Sequence, residues 1–412
     1  MRLLFVTPWL PHPNILHAGG QYVYHTLRWL AQRHEVHLLS YGRGESADEV
    51  EAIAPVVETM MVIEPAYTVR HIVQPQPDGW QPPKMLSRRT QIAVREYMRV
   101  ICSRQNIEAV HFAWTEMGRY MDAVPDGVAG VLGTMDVEYL VRPREAALRP
   151  SLLPAGLEFL QVQRRAHSLI HSEADYLPKA NVVLACSAAD KQHLAKLTSI
   201  ERIHVVRPWI DAEAVRHIKL SSVVPGRLTF VGALDSIPNI VAARFFVDEV
   251  WPIIRAQHPE TTLHIVGANP TSDVQAWATR DPRIVVSANT AAIPAAWAET
   301  DVAVSPSLIG GGLIPNVTQA MAAGRPVVTT TLGYESVDAP PELVDMADTA
   351  PEFADAVLRL LSDRTRWQRR ALAGRAYISR AYDWDESMQA LENAYEVAIA
   401  SVAGQGKNRF WV

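Results

Sequence analysis

Short apolar runs alternate with amphipathic helical stretches along most of this 412-residue sequence. The first unit begins with the apolar segment Arg2–Thr7 and continues through a proline-rich loop into a helical stretch over Tyr22–Arg33. A second apolar segment, Glu35–Leu39, follows. Such runs are typical of strands buried in a parallel sheet, so the alternation predicts a doubly wound α/β fold. Further strands are expected at Ala109–Phe112, Gly130–Leu132, Val182–Cys186 and Ile203–Val206, and helices at Gln91–Arg104, Leu157–Ala174 and Ala188–Lys196.

The alternation starts again after Asp211–Pro225, where Arg227–Val231 opens a second series of apolar runs. Because 412 residues exceed one ordinary core, we expect two Rossmann-like domains, residues 1–211 and residues 212–381. The cleft between two such domains is the default place for a ligand. A final helix, Tyr382 to about Val402, has no strand after it. The second series also predicts a helix at Ala243–Ala256 and strands at Thr262–Val266, Ile284–Ser287, Asp301–Ser305 and Pro326–Thr330.

Composition excludes several classes of protein. The net charge of −5 offers no broad cationic surface for nucleic acid. Two cysteines, Cys102 and Cys186, cannot form a disulfide framework or a four-cysteine zinc site. The N-terminal apolar run is too short for a secretory signal, and no run approaches 18 apolar residues. We therefore expect a cytoplasmic protein without a membrane span.

The stretch Ser307–Thr329 is the most informative part of the chain. It contains a strand end, three successive glycines, a helical segment, a glycine stop and another strand. Gly310–Gly312, the glycine turn, allows backbone N–H groups to approach an anion, and the helix N-terminus that follows adds its dipole. This pattern suits a diphosphate. The alternative is a tight strand-to-helix turn that binds no ligand.

The same stretch resembles the nucleotide-binding signature of the family 4 retaining glycosyltransferases, a group 1 type with the GT-B fold. Other segments resemble that family in the same order, so the resemblance covers nearly the whole chain. They are the acceptor-side loop at Pro8–Gly20, the "HNVEY" segment at Thr134–Tyr139, the helix entry at Ala185–Asp190, the strand and loop at Phe230–Asn239, the strand Leu263–Gly267 and the loop Thr330–Glu335.

The resemblance implies a hexosyltransferase of carbohydrate biosynthesis whose second domain binds a nucleotide sugar while the first presents a sugar-containing or small-molecule acceptor. It also implies that the final helix, residues 382–402, packs back on the first domain. Asp136 and Glu138 are the candidate catalytic residues, and Gly19, Gly20 and Met135 are the acceptor-side candidates. The donor-binding candidates are Gly232, Asp235, Asn239, Gly267, Gly310, Gly311, Gly312, Leu313, Ile314, Gln319 and, as a substitute cation near the linker, Arg207.

Several positions depart from the family pattern. The family commonly carries two glutamates eight residues apart, where this chain has Gly311 and Gln319. Relatives with the glycine variant often have Arg and Lys where this chain has Ile314 and Asn316. The departures also include Met135 in place of His, Ser287-Ala288 in place of Thr-Gly, and the absence of Lys or Arg from the loop Ala233–Asn239.

Two functions fit these departures. One is a retaining glycosyltransferase with an unusual donor, in which the leaving diphosphate takes the acceptor proton and its stabilisation is the main catalytic task. The other is a GT-B protein that has lost catalysis and acts as a binding or partner subunit. Neither requires a cofactor or a metal beyond the nucleotide sugar itself.

Three smaller patterns have ordinary structural explanations. Asp383 and Asp385 have the D-x-D spacing of a metal-diphosphate site, but Asp383 stands where a helix N-cap is expected. His167 and His171 lie four residues apart, which fits a zinc pair or a solvated helix face. A basic stretch suits a solvated face or weak peripheral contact with anionic lipid or a lipid-linked diphosphate acceptor; it comprises Lys84, Arg88, Arg89, Arg95, Arg99 and Arg104.

Overall fold

The structure, a computed structural model, describes residues 1–13, 15, 18–42, 46–63, 88–146, 148, 173–208, 210, 213–288, 293–312, 314–335 and 337–407. Within these residues, the strands form two wholly parallel sheets. Those of the first sheet are β1 (Arg2–Thr7), β2 (Glu35–Tyr41), β3 (Thr59–Ile63), β4 (Ala109–Ala113), β5 (Ala129–Gly133), β6 (Val182–Ala185) and β7 (Ile203–Val205). Those of the second are β8 (Arg227–Val231), β9 (Thr262–Val266), β10 (Ile284–Ser287), β11 (Val302–Ser305), β12 (Val327–Thr329) and β13 (Asp345–Met346).

Both sheets have the strand order of a doubly wound fold. The first is ordered β3-β2-β1-β4-β5-β6-β7 and the second β10-β9-β8-β11-β12-β13. The order therefore reverses between β1 and β4 in one sheet and between β8 and β11 in the other. Ligands of such sheets bind beyond the carboxyl ends of the strands at these reversals. The predicted pair of Rossmann-like folds is confirmed.

Helices connect successive strands of each sheet. Those in the first half are Ala18–Leu30, Ala47–Ile53, Arg88–Arg104, Glu138–Ala146 and Ala188–Leu194, with a 3₁₀ segment at Thr115–Ala123. Those in the second half are Glu213–Arg216, Ile237–Phe245, Trp251–Gln257, Ser272–Arg280, Ile293–Glu299, Pro315–Ala322, Thr331–Glu335, Ala350–Ser362 and Arg364–Ala381, followed by the final helix, Trp384–Lys407.

The helix predicted at Ala243–Ala256 differs from the structure. Helix Ile237–Phe245 begins earlier, because Pro238 is tolerated in a first turn, and a π-helical segment, Phe246–Val250, joins it to Trp251–Gln257. Pro252 has no N–H to donate to the preceding turn, so a continuous α-helical ladder is impossible there.

The final helix belongs to the core of the first sheet. Met388, Leu391 and Tyr395 are fully buried in one apolar cluster with side chains of β1, β2 and β5. The Tyr395 hydroxyl lies 2.6 Å from Nδ1 of His111 on β4. Burial lowers the pKa of His111 to about 3, so this ring is neutral and the contact is a hydrogen bond between neutral groups.

The carboxylates of the D-x-D pattern both have structural partners. Asp383 Oδ1 accepts a hydrogen bond from Glu386 N at 3.0 Å, which is the N-cap role that its position predicts. Asp385 Oδ1 accepts one from Trp29 Nε1 at 3.0 Å and so helps to hold the final helix against helix Ala18–Leu30.

Two arginines bind the segment before β8 to the second sheet. The buried guanidinium of Arg325 donates hydrogen bonds to the carbonyl oxygens of Lys219 and Leu220, and Arg375 donates to that of Ile218 at 2.8 Å. Each carbonyl gains a charge-assisted bond, so Ile218–Ser222 is held firmly to the second domain.

Some predicted features lie outside the described residues. These are Lys84, His167, His171 and most of the helix expected at Leu157–Ala174. Among the residues that the structure does describe, no helix is both long enough and apolar enough to cross a membrane.

The burial of the final helix leads to a stability prediction. We expect Leu391→Ala to lower the free energy of unfolding by about 2–5 kcal/mol, because it leaves a cavity in the first core. Val397→Ala on the same helix is the control, since Val397 is 48% exposed. Urea denaturation measures both. Equal effects of the two substitutions would contradict this packing.

Candidate functional site

The glycine turn lies beyond the carboxyl end of β11, beside the reversal in the second sheet. It leads into helix Pro315–Ala322, here called the signature helix. Pro315 suits the first turn of a helix because its missing N–H would have no helical partner there. Ile314 is the N-cap, and no described side chain caps the helix at this end. Its first N–H groups are therefore suited to an anion.

The first domain packs directly on the glycine turn. Asp136 forms an antiparallel bridge with Gly312, and Val137 N donates to Gly311 O at 2.5 Å. A Cβ on Gly311 would lie 2.6 Å from the Val137 carbonyl oxygen, and one on Gly312 would collide with that of Met135. Both positions require glycine because another stretch of backbone approaches them. A Cβ on Gly310, by contrast, would make ordinary contacts at 3.6 and 3.7 Å.

Helix Glu138–Ala146, the docking helix, carries this contact further. Its Arg144 donates a hydrogen bond to Gly310 O at 2.6 Å and another to Glu335 Oε2 at 2.8 Å. Val141 packs against the apolar core of the second sheet. This helix follows β5 in the chain, yet its side chains contact the second domain.

The docking helix begins where a buried carboxylate accepts its first N–H groups. Glu173 accepts hydrogen bonds from Tyr139 N at 2.8 Å and Glu138 N at 3.3 Å. Burial raises the pKa of Glu173 to about 7, although these two bonds act to lower it.

A pocket of about 210 Å³ lies between the domains at the glycine turn. This volume includes space open to solvent, and the enclosed part does not admit even a water molecule, so a nucleotide sugar would require the two domains to separate here. The pocket combines a guanidinium, an imidazole, two carboxylates and the turn itself; its lining is Leu140, Arg144, Asp190, His193, Gly310, Gly311, Gly312, Leu332 and Glu335.

The pKa values of the two carboxyl groups in the pocket, Glu335 and Asp190, are shifted in opposite directions. Burial acts to raise the pKa of Glu335, but the hydrogen bond from His193 and the charge of Arg144 outweigh it and lower that pKa. Burial raises the pKa of Asp190 to about 7, and the nearby Asp136 carboxylate adds to the effect despite a hydrogen bond with Ser187. The pocket thus holds one carboxylate that stays charged and one carboxyl that protonates near neutral pH.

The other predicted donor residues of the second domain lie beyond the carboxyl ends of β8 and β9. Asn239 folds over Gly232 and donates to Ala233 O at 3.0 Å, while Asp235 accepts from Asn269 Nδ2 at 2.9 Å. Gly267 lies against the Gly232 carbonyl, where a Cβ would collide. These contacts shape the loops around the reversal in the sheet. Gln319 is half-buried on the signature helix, and Leu313 lies outside the described residues.

The predicted acceptor-side glycines and Arg207 do not line the pocket at the glycine turn. Gly19 and Gly20 lie in the first turn of helix Ala18–Leu30, not in the predicted loop. A Cβ on Gly19 would lie 2.6 Å from the Trp114 ring, so this position favours glycine because the ring packs against it. Arg207 pairs with Asp338 at 3.5 Å and lies 5.8 Å from the Tyr382 ring centre. Arg144 places a guanidinium at the glycine turn, and a donor-binding role for Arg207 stays a prediction.

The comparisons with known proteins agree with this architecture. Residues 225–363 match the family model described as Glycosyl transferases group 1. A glycogen synthase of Mycobacterium tuberculosis (strain H37Rv) is 28% identical over 260 residues, which cover 58% of this chain and 58% of that relative. This chain therefore matches little more than half the length of its curated relative.

Solved structures extend the likeness to almost the whole chain. Sucrose-phosphate synthase from Thermosynechococcus elongatus superposes with a TM-score of 0.70 at 16% identity, covering 97% of this chain and 100% of that one. Anabaena HepE in complex with UDP gives 0.66 at 14% identity, covering 96% and 100%. Residues 225–363 are thus similar to a group 1 glycosyltransferase domain, the chain has the GT-B fold, and placement in family 4 stays a prediction.

The sequence does not point to three residues of the pocket, Arg144, His193 and Glu335, as site residues. Glu335 ends a segment that resembles the family, and Arg144 follows the Thr134–Tyr139 segment by five residues. Neither position belongs to a motif that marks it as functional. The importance of Arg144 comes from its contact with Gly310, which is 166 positions away in the sequence.

The high pKa of Asp190 leads to a prediction about stability and pH. Its carboxyl binds a proton more tightly in the folded protein than in the unfolded chain, so the free energy of unfolding falls as pH rises from about 4 to about 7. Asp190→Asn removes this loss. We expect the variant to gain on the order of 2 kcal/mol relative to wild type between pH 5 and pH 8.

Urea denaturation at the two pH values measures this difference. Asp355→Asn, at an exposed position of helix Ala350–Ser362, is the control and is expected to show no such change. A gain by Asp190→Asn that is the same at both pH values would contradict the prediction.

Proposed function

We propose that this protein transfers a sugar from a nucleotide-sugar donor to an acceptor, with the donor diphosphate bound at the glycine turn. The observation that carries the proposal is the glycine turn itself. It joins the carboxyl end of β11 to the N-terminus of the signature helix inside a group 1 glycosyltransferase domain. Anabaena HepE has been solved with UDP and with UDP-glucose, which supports a uridine nucleotide as the first donor to test.

The chemistry we propose is transfer with retention of configuration. The acceptor oxygen bonds to the anomeric carbon as the bond from that carbon to the diphosphate breaks, and the departing diphosphate takes the acceptor proton. Backbone N–H groups of the turn and the signature helix stabilise the charge that develops on the diphosphate. Asp136, which pairs with Gly312, and Glu138, which begins the docking helix beside it, both stay candidate catalytic carboxylates.

The alternative is a GT-B protein that binds a partner and transfers nothing. The narrowness of the pocket favours it, as do the neutral residues Ile314, Asn316 and Gln319 on the donor side. Calorimetric titration with UDP-, GDP- and dTDP-sugars separates the two. Binding of one of them followed by release of its nucleotide supports the enzyme, and absence of binding to all three supports the alternative.

Gly311 is a poor position for testing donor binding. Any side chain there meets the Val137 carbonyl, so a substitution changes the contact between the domains as well as the turn. Gln319 is better suited, because it is half-buried on the signature helix and its replacement by Glu keeps the size of the side chain.

We expect Gln319→Glu to bind the donor several-fold more tightly. A carboxylate accepts the ribose hydroxyl hydrogen bonds with charge assistance, which contributes about 1 kcal/mol over the amide. Gln319→Ala is the comparison and should bind more weakly than wild type. Titration calorimetry and turnover measure both. Weaker binding by both variants indicates a donor read through the amide N–H groups, and unchanged binding by both removes Gln319 from the site.

We also propose that transfer needs no divalent metal. Asp383 is occupied as a helix cap, and the described residues contain no group of three or more potential ligands that could hold a metal ion. The expected rate after exhaustive treatment with EDTA therefore equals that of untreated protein. Loss of activity that Mg²⁺ or Mn²⁺ restores would refute this.

A further inference from the structure

Two basic groups of the first domain meet one carboxylate of the second at the glycine turn. Arg144 donates to Glu335 Oε2 at 2.8 Å, and His193 Nε2 lies 2.7 Å from Glu335 Oε1. Both oxygens of Glu335 are therefore engaged by the opposite domain. We call these three residues the latch.

The latch lines the same pocket as the glycine turn. Arg144 also donates to Gly310 O, so its guanidinium lies between the turn and Glu335. All three side chains are less than one-third exposed, which strengthens their electrostatic interactions relative to those at an open surface. An anion bound at the turn would therefore lie beside Arg144.

Among the described residues that line the pocket, none of those from the second domain is a cation. Ile314 and Asn316 stand where related signatures carry Arg and Lys, and the loop Ala233–Asn239 has neither. Arg207 contacts Asp338 and Tyr382 instead. A diphosphate held only by backbone N–H groups would keep most of its charge uncompensated, so the missing cation has to come from across the cleft.

We propose that Arg144, with His193 beside it, binds the donor diphosphate, and that Glu335 occupies these two groups until the donor displaces it. The inference rests on the proposed function. The exchange is chemically direct, because the planar guanidinium binds carboxylate and phosphate oxygens with the same pair of N–H groups. Donor binding thus replaces one anion with another and opens the Arg144 to Glu335 contact between the domains.

The exchange gives opposite effects for the two members of the ion pair. Loss of the Arg144 charge removes a ligand of the diphosphate and weakens binding. Loss of the Glu335 charge removes its competitor and tightens binding. A latch that served stability alone would give both substitutions the same direction of effect.

The test is calorimetric titration of the full chain with UDP and, separately, with uridine, which lacks the diphosphate. We expect Arg144→Gln to weaken UDP binding at least tenfold without affecting uridine, Arg144→Lys to restore part of the loss, and Glu335→Gln to tighten UDP binding three- to tenfold. Arg280→Gln is the matched control, because it breaks an exposed pair with Asp248 on the second domain. Thermal unfolding of each variant shows that it is folded. GDP with guanosine and dTDP with thymidine replace the first pair if wild type binds those instead.

The outcomes separate this inference from the proposed function. If wild type binds a nucleoside diphosphate and Arg144→Gln binds it equally well, the inference is wrong and the proposed function stands. Weaker UDP binding by Glu335→Gln would likewise contradict the proposal that Glu335 competes with the diphosphate for Arg144. If wild type binds none of the three nucleoside diphosphates, the proposed function fails and the inference fails with it.

Discussion

The close approach of two backbone segments, Met135–Val137 of the first domain and Gly311-Gly312 of the second, governs the geometry of the site. Side chains at either glycine would hold these segments apart. Their contact brings the docking helix onto the second domain, and that helix delivers Arg144 to the glycine turn. The size of the pocket, the pairing of Glu335 and the placement of Asp136 all follow from it. The cleft between the two domains is thereby narrowed to a small polar pocket that is lined by side chains of both domains.

The fold could be predicted from the sequence because buried parallel strands leave apolar runs that helices separate. Runs such as Arg2–Thr7 and Thr262–Val266 are strands with the predicted bounds. Two of the four edge strands, β3 and β13, show where the prediction from the apolar pattern is incomplete. β13 has two residues and leaves no pattern, whereas Met60–Ile63 in β3 has a clear apolar run that the prediction omits. Helix Ile237–Phe245 and its π-helical continuation depend on proline positions and packing, which periodicity alone does not describe.

Less of the site could be predicted from the sequence, because the type of a residue does not reveal which other residues contact it in the fold. Three glycines indicate close backbone approach, and an anion is the obvious partner at a helix N-terminus. At Gly311 and Gly312 the structure also shows protein backbone in that role. A glutamate at position 311 would not fit this arrangement, since its Cβ would lie 2.6 Å from the Val137 carbonyl oxygen. Arg144 could not be assigned in advance, because the geometry that makes it important joins distant parts of the chain.

The contact between Arg207 and Tyr382 lies where the chain passes between the two domains. Arg207 lies just before the chain enters the second domain, and Tyr382 lies just before it returns to the first domain in the final helix. The guanidinium carbon of Arg207 is 5.8 Å from the centre of the Tyr382 ring. The two crossings are therefore neighbours, and Arg325 and Arg375 fasten the chain from Ile218 onward to the second domain. Because both connections between the domains lie at this pair, we expect a rotation between the domains to pivot there. Such a rotation would part the glycine turn from Met135–Val137, so side chains that do not line the pocket would determine how far it opens.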